Sequence, residues 1–150
     1  MTKIERRSSS TIRATAPELA RVLLVDDDPT SRLTVQTILE AGGYHVDSAA
    51  SAAEAYAKME KREFELVLSD VGIESPNSGY EVLAHARMMD YRPATAILTA
   101  SYESDSEPGK SVLIEPQDVP GLLTKIANLI GGRASRRMQR ELKLQAASAN

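Results

Sequence analysis

Carboxylate side chains follow two of the apolar runs in this sequence. The run Val-Leu-Leu-Val at residues 22–25 is followed by three aspartates at positions 26–28, and the run at residues 64–69 is followed by Asp70. Carboxylates that meet at one place repel one another, so they require a cation. Mg²⁺ takes oxygen ligands, and an aspartate can act as a nucleophile toward phosphorus. The residue types therefore predict phosphoryl transfer to aspartate at a magnesium site.

Helical spacing alternates with short apolar runs along the chain. A helix is predicted over residues 29–41, because Asp28 and Pro29 fit an N-cap followed by proline at the first helical position. Ser51 and Glu54 form a capping-box pattern at the start of a second helix. The two remaining predicted helices run from Gly79 to a stop at Pro93, and from a cap at Asp118 to an end before Gly131 and Gly132.

The same alternation predicts the fold class. Five strands are expected, at residues 22–25, 44–49, 64–69, 94–99 and 112–115. Alternating strands and helices of this length indicate an α/β fold with a doubly wound, parallel, five-stranded sheet. In the flavodoxin-like strand order 2-1-3-4-5, strands one and three are neighbours, and ligands bind beyond the carboxyl ends of the strands. Asp26, Asp27 and Asp70 should then converge in that crevice.

Composition narrows the classes of protein. The 150 residues contain no cysteine, no tryptophan and one phenylalanine, which excludes disulfides, thiol catalysis and an aromatic platform for stacking nucleic-acid bases. The first twenty residues hold no apolar stretch long enough for a signal peptide or a membrane span. We therefore expect a soluble cytoplasmic protein without a membrane anchor.

Charge divides the chain into three parts. Residues 1–20 carry four bases and two acids, residues 132–150 carry five bases and one acid, and the stretch between them has a net charge of −9. The sequence predicts a disordered basic tail over 1–20, one domain over 21–131, and a basic tail over 132–150. That last tail is either a solvated segment or a helix that binds a partner. It is too short for an appended helix-turn-helix, so direct DNA binding is not expected.

The sequence resembles the receiver domain of two-component response regulators over residues 20–131. The resemblance is carried by the segments Leu23 to Pro29, the strand that ends at Asp70, Ile97 to Ala100, and Pro116 to Asp118. It implies a CheY-like fold and a stand-alone phosphorelay protein that is not an enzyme. Its implied partners are a histidine kinase or a histidine phosphotransfer protein, together with a downstream protein that the sequence does not identify.

Site residues follow from the same resemblance. It implies that Asp70 accepts the phosphoryl group and that Asp26 and Asp27 hold Mg²⁺ with Asp70 and the Gly72 backbone carbonyl. It also implies that the Thr99 hydroxyl contacts a phosphoryl oxygen once the group is present.

Several positions depart from the family pattern. Glu115 occupies the place of the usual site lysine, and Val112 occupies the place of the aromatic residue that usually reports phosphorylation. Fifteen residues separate Thr99 from Glu115, so a short helix or a loop is expected between the fourth and fifth strands. The usual proline after the phosphoacceptor is replaced by Glu74, and Gly79 lies one residue later than usual.

Two other functions fit parts of the sequence. A pseudo-receiver, which binds partners without being phosphorylated, would explain Glu115. A haloacid-dehalogenase-like phosphatase would use Asp26 as the nucleophile and Asp28 as the acid and base, because Asp26 to Thr30 fit its D-x-D-x-T motif. That second alternative leaves Asp70 without a role.

Overall fold

The fold is known from a computed structural model that describes residues 20–98, 112–114 and 119–148, with only the backbone of 112–114. Several predictions lie outside these described residues: the basic tail over residues 1–20 apart from its last residue, the loop expected after the fourth strand, and the site residues Thr99 and Glu115.

Five parallel strands form one sheet. Their bounds are Arg21–Val25 (β1), His45–Ala49 (β2), Leu66–Asp70 (β3), Ala94–Leu98 (β4) and Val112–Ile114 (β5). The strand order is β2-β1-β3-β4-β5, and every pair of neighbouring strands is parallel. The predicted doubly wound α/β fold and its strand order are confirmed. The third strand begins two residues later than predicted and includes Asp70 as its last residue.

Four helices are described, with bounds Pro29–Ala41 (α1), Ala52–Lys61 (α2), Ser78–Arg87 (α3) and Val119–Ser148 (α4). The predicted caps of the first two helices are present. The Asp28 side chain accepts a hydrogen bond from the Ser31 amide at 3.0 Å, and the Ser51 hydroxyl accepts one from the Glu54 amide at 3.1 Å. These acceptors satisfy amide groups that have no partner within the first turn of a helix.

The last helix does not end where the sequence predicts. An end before Gly131 and Gly132 is wrong, because α4 continues through both glycines to Ser148. Glycine lowers helix stability by about 1 kcal/mol relative to alanine, so two glycines in succession favoured a stop. Directly after the glycines, the buried guanidinium of Arg133 donates to the carbonyl oxygens of Tyr91 and Arg92, which ties this part of the helix to the segment before β4. The proposed division of the chain at residue 132 stays a prediction.

Both faces of the sheet are covered. Successive side chains of a strand point to opposite faces, so Leu23 and Val25 of β1 pack with α2 and α3, while Val22 and Leu24 pack with α1 and α4. This burial on both sides explains why the strands are continuous apolar runs in the sequence. It also leaves the ends of the strands as the places where polar side chains can gather.

Candidate functional site

Three aspartates meet at the carboxyl end of the sheet. Val25 is paired with Ser69 in the parallel ladder between β1 and β3, so Asp26 and Asp70 come next to each other at the end of neighbouring strands. Asp27 follows, and one carboxylate oxygen from each of the three lies within 4.8 Å of the others. Asp26 is 3% exposed, Asp70 is half-buried and Asp27 is exposed.

Hydrogen bonds fix the buried aspartate. One carboxylate oxygen of Asp26 accepts a hydrogen bond from the Asp28 amide at 3.0 Å. The backbone amide of Asp26 donates to the Ala49 carbonyl at 3.0 Å. The guanidinium of Arg32 donates to the Asp26 carbonyl at 2.8 Å. Sequence reasoning did not single out Arg32, whose helical position gave no signal of this contact. The Asp28 amide thus holds the Asp26 carboxylate, while the other two bonds fix the backbone of Asp26.

The environment of Asp70 disfavours its charge. Burial is the largest cause that raises the pKa of its carboxyl, and repulsion by Asp26 and, more weakly, by Asp27 raises it further. A hydrogen bond from the Gly72 amide to Oδ2, at 3.3 Å, lowers the pKa and only partly opposes them. Three close carboxylates with few donors fit a hard divalent cation, which would supply the missing positive charge.

A first prediction concerns this repulsion. Asp70→Asn should raise the free energy of unfolding by about 1 to 2 kcal/mol at neutral pH without divalent cations, because it removes one of three close negative charges. A carboxyl with a raised folded-state pKa loses stability as pH rises from its ordinary value of 3.8 through the raised value. The advantage of the variant should therefore be small near pH 3 and reach its full size above the folded-state pKa.

Urea unfolding at several pH values, in the presence of a chelator, would measure the difference in stability between Asp70→Asn and the wild type. Asp90→Asn is the matched control, because Asp90 is exposed and lines a cleft with Arg137 and Arg140. Its loss should leave stability unchanged or slightly lower. An Asp70→Asn variant that is no more stable than the wild type at pH 7 would contradict the repulsion.

The start of α3 passes directly against the end of β3. A Cβ added to Gly79 would lie 2.0 Å from the Asp70 carbonyl oxygen and 3.0 Å from that of Val71. The Gly79 amide also donates to the Val71 carbonyl at 2.9 Å. Only glycine permits this approach, which sets the path of the chain beside Asp70.

The loop between β3 and α3 is tied in two places. The Ser78 hydroxyl accepts from the amides of Ile73 and Glu74 at 3.0 and 3.2 Å, and donates to the Ser75 carbonyl at 2.8 Å. The carboxylate of Glu74 accepts from the Ala52 amide at 2.7 Å, at the start of α2. Glu74, which stands in place of the family proline, thus joins this loop to a helix N-terminus. The sequence showed the substitution but not the amide that donates to the Glu74 carboxylate.

Comparison with known proteins supplies the family. The family model of the response regulator receiver domain matches residues 22–116. The chain belongs to this family. This match confirms the resemblance carried by the sequence motifs. Receiver domains are signalling modules of two-component systems.

Two relatives and one solved structure illustrate the match. The chain is 37% identical to the gliding motility regulatory protein of Myxococcus xanthus over 71 residues, which are 47% of the chain but 9% of that protein. It is 27% identical to the response regulator receiver protein CpdR of Brucella abortus, covering 75% of the chain and 98% of the relative. A receiver domain structure from Methanospirillum hungatei is 29% identical, with a TM-score of 0.69, over 79% of this chain and 98% of that one.

Proposed function

We propose that this receiver domain accepts a phosphoryl group on Asp70 with Mg²⁺ bound, as one step of a phosphorelay. The observation that supports it most is the meeting of Asp26, Asp27 and Asp70 at the ends of β1 and β3. The family suggests the class of reaction, which is phosphoryl transfer. The three carboxylates would provide both the nucleophile, Asp70, and the ligands of a cation next to it. The donor is a phosphohistidine of a histidine kinase or histidine phosphotransfer protein.

The transfer exchanges one bond for another. A carboxylate oxygen of Asp70 forms a bond to phosphorus as the bond between phosphorus and the donor histidine nitrogen breaks, and the nitrogen then takes up a proton. The Gly72 amide orients the nucleophile through its bond to Oδ2. Mg²⁺, held by the three aspartates and the Gly72 carbonyl, would offset the charge that builds on the transferring group. In this proposal the Thr99 hydroxyl contacts a phosphoryl oxygen. Glu115 occupies the sequence position at which the family has its site lysine.

The phosphorylated site is proposed to signal by protein contact. A phosphoryl group adds roughly 1.5 to 2 negative charges at a position that already has three carboxylates. The electrostatic potential of the surface around the site therefore becomes more negative, and a partner protein can detect this change. Similarity along nearly the whole of a receiver protein supports this mode of output. Direct DNA binding is not part of the proposal, and the location is proposed to be cytoplasmic. Within the described ranges, no helix is both long and apolar enough to cross a membrane.

A second prediction tests the proposed function. Incubation of the full chain with a small phosphodonor and Mg²⁺ should add one phosphoryl group, and peptide mapping should find it on Asp70. Asp70→Asn should abolish the modification, and chelation of Mg²⁺ should reduce it strongly. Asp90 lies before β4, at the edge of the sheet opposite Asp70, so Asp90→Asn should leave the modification of Asp70 unchanged. Intact mass spectrometry before and after the incubation gives each result.

One alternative function, the pseudo-receiver, is supported by a specific feature of the sequence. Glu115 stands where the family has its site lysine, which favours a pseudo-receiver that binds partners without phosphorylation. Absence of modification with any donor would favour it. The phosphatase hypothesis has less support, because the chain matches the receiver-domain family over residues 22–116 and the hypothesis gives Asp70 no role. Modification of Asp26 in place of Asp70 would revive it.

A further inference from the structure

The second half of α4 is exposed to solvent. Arg133 is buried and ties the helix to the segment before β4. Beyond it, every residue from 134 to 148 is exposed except Arg140, which is half-buried. Most of the stability of a protein helix comes from the packing of one of its faces. A helical segment with four exposed turns therefore favours a partner that covers one of those faces.

Apolar and positively charged side chains lie on different faces of this segment. Met138 is 64% and Leu142 is 58% exposed, and a spacing of four residues puts them on one face. With Met138 at position d and Leu142 at position a of a heptad, Ser135 is the preceding a residue and Gln145 is the following d residue. We call these four residues the uncharged face. The cations of the segment all fall at positions b, c and f of the same heptad, and they are Arg136, Arg137, Arg140 and Lys143.

The uncharged face points away from the domain. At 3.6 residues per turn, Leu142 lies about 180° around the helix axis from the buried Arg133, and Met138 lies about 140° from it. The same stripe continues toward the start of the helix through Gly131 and Asn128, which are exposed and carry no charge. A second helix can therefore approach this face without meeting the domain to which α4 belongs.

We propose that the uncharged face pairs with the same face of a second copy of this chain, as a short parallel coiled coil. A two-fold axis parallel to the helices would place Met138 against Met138 and Leu142 against Leu142 in successive layers. The two domains would then lie on opposite outer sides of the helix pair. The proposal concerns assembly of the chain and does not depend on phosphorylation of Asp70.

The arrangement of charges favours a second copy in this parallel orientation. Positions e and g flank the interface of a coiled coil, and within residues 134–148 Glu141, at g, is the one charged residue at these positions. In a parallel pair its neighbour is the e residue Ala146 of the other copy. An antiparallel pair would instead bring g residues together and place the two Glu141 carboxylates near each other. The cations at b, c and f stay outside the contact, so the parallel pair brings no like charges together.

The expected pair is weak. Its two apolar layers lie between the polar layers of Ser135 and Gln145, and these four layers span about 16 Å of helix. A strip of that length and about 10 Å in width is well below the roughly 800 Å² per partner of a standard stable interface. We therefore expect monomers that associate as concentration rises.

Sedimentation equilibrium of the full chain from about 10 μM to about 1 mM tests the proposal. The average mass should rise from that of one chain toward that of two. Leu142→Arg should weaken association at least tenfold, because two guanidinium groups would meet in one layer. Leu144→Arg is the matched control: Leu144 is 68% exposed but lies at position c, so association should change less than threefold. Arginine and leucine favour helices about equally, and circular dichroism should show the same helix content in both variants.

Cross-linking reports the orientation of the pair. The sequence has no cysteine, so Leu142→Cys introduces a single thiol that faces its counterpart within reach of a disulfide in a parallel pair. With oxidised glutathione it should form covalent dimers much faster than Leu144→Cys.

Three outcomes would overturn the proposal. A monomer at every concentration would leave the uncharged face to a different protein. Equal losses in the two arginine variants, or equal cross-linking of the two cysteine variants, would show that association does not use this face. Association that is abolished by salt alone would indicate that the cations of one copy bind the acidic domain of another.

Discussion

Gly79→Ala should lower the free energy of unfolding by about 3 kcal/mol. The new methyl carbon would lie 2.0 Å from the Asp70 carbonyl oxygen, and the neighbouring atom belongs to the backbone of a central strand, which has little freedom to withdraw. Either α3 must shift away from β3 or the end of the strand must distort. Distortion of the strand would displace Asp70 itself, and a shift of the helix would displace the loop of residues 71–77 that follows Asp70. Weaker Mg²⁺ binding and less phosphorylation should therefore accompany the lower stability.

Gly131→Ala is the matched control for this prediction. It is the same substitution in another helix, and among the described residues no atom lies within 4 Å of the added Cβ apart from the adjacent residues and the backbone of the same helix. It should raise stability by about 1 kcal/mol, because alanine favours the helix and restricts the unfolded chain. Urea unfolding measures both variants. Equal effects of the two substitutions would show that the close approach at Gly79 has room to relax.

Much of the fold could be predicted because its local and global signals agree. The cap residues Asp28 and Ser51 were visible as patterns, and both accept the expected hydrogen bonds. Continuous apolar runs indicated strands covered on both faces, and alternation of strands and helices then restricted the topology to a few parallel orders. The aspartates followed from that topology, because strands one and three are neighbours in the flavodoxin-like order.

Other features depend on contacts between distant segments, which a single sequence does not reveal. Glu74 was visible as a departure from the family, but its bond to the Ala52 amide joins residues 22 positions apart. Arg32 is only six residues from Asp26, but its place in the sequence gave no sign that it donates to the Asp26 carbonyl. The continuation of α4 through Gly131 and Gly132 is the clearest failure, because local propensity predicted a stop and tertiary contacts overrode it.

The second large effect is expected at Arg133. Arg133→Ala should lower the free energy of unfolding by about 3 kcal/mol, because it leaves the Tyr91 and Arg92 carbonyls without their donor and opens a space in a buried contact. Burial is the main cause that lowers the pKa of this guanidinium, while the carboxylates of Glu65 and Glu63 raise the pKa and partly oppose the effect of burial. The arginine is therefore held at a cost in desolvation, which its two backbone acceptors and these carboxylates offset.

Arg133→Lys should restore only part of the loss, since an ammonium group does not reproduce the planar fork that reaches both carbonyls. Hydrogen exchange should show faster exchange after the glycines, at residues 134–148, in the alanine variant. Arg137→Ala should change stability by less than about 1 kcal/mol, because it removes only an exposed ion pair with Glu141. If Arg133→Ala were equally mild, the packing of Leu129 and Ile130 against the core would hold the helix across Gly131 and Gly132. The buried arginine would then be a consequence of the extended helix and not its cause.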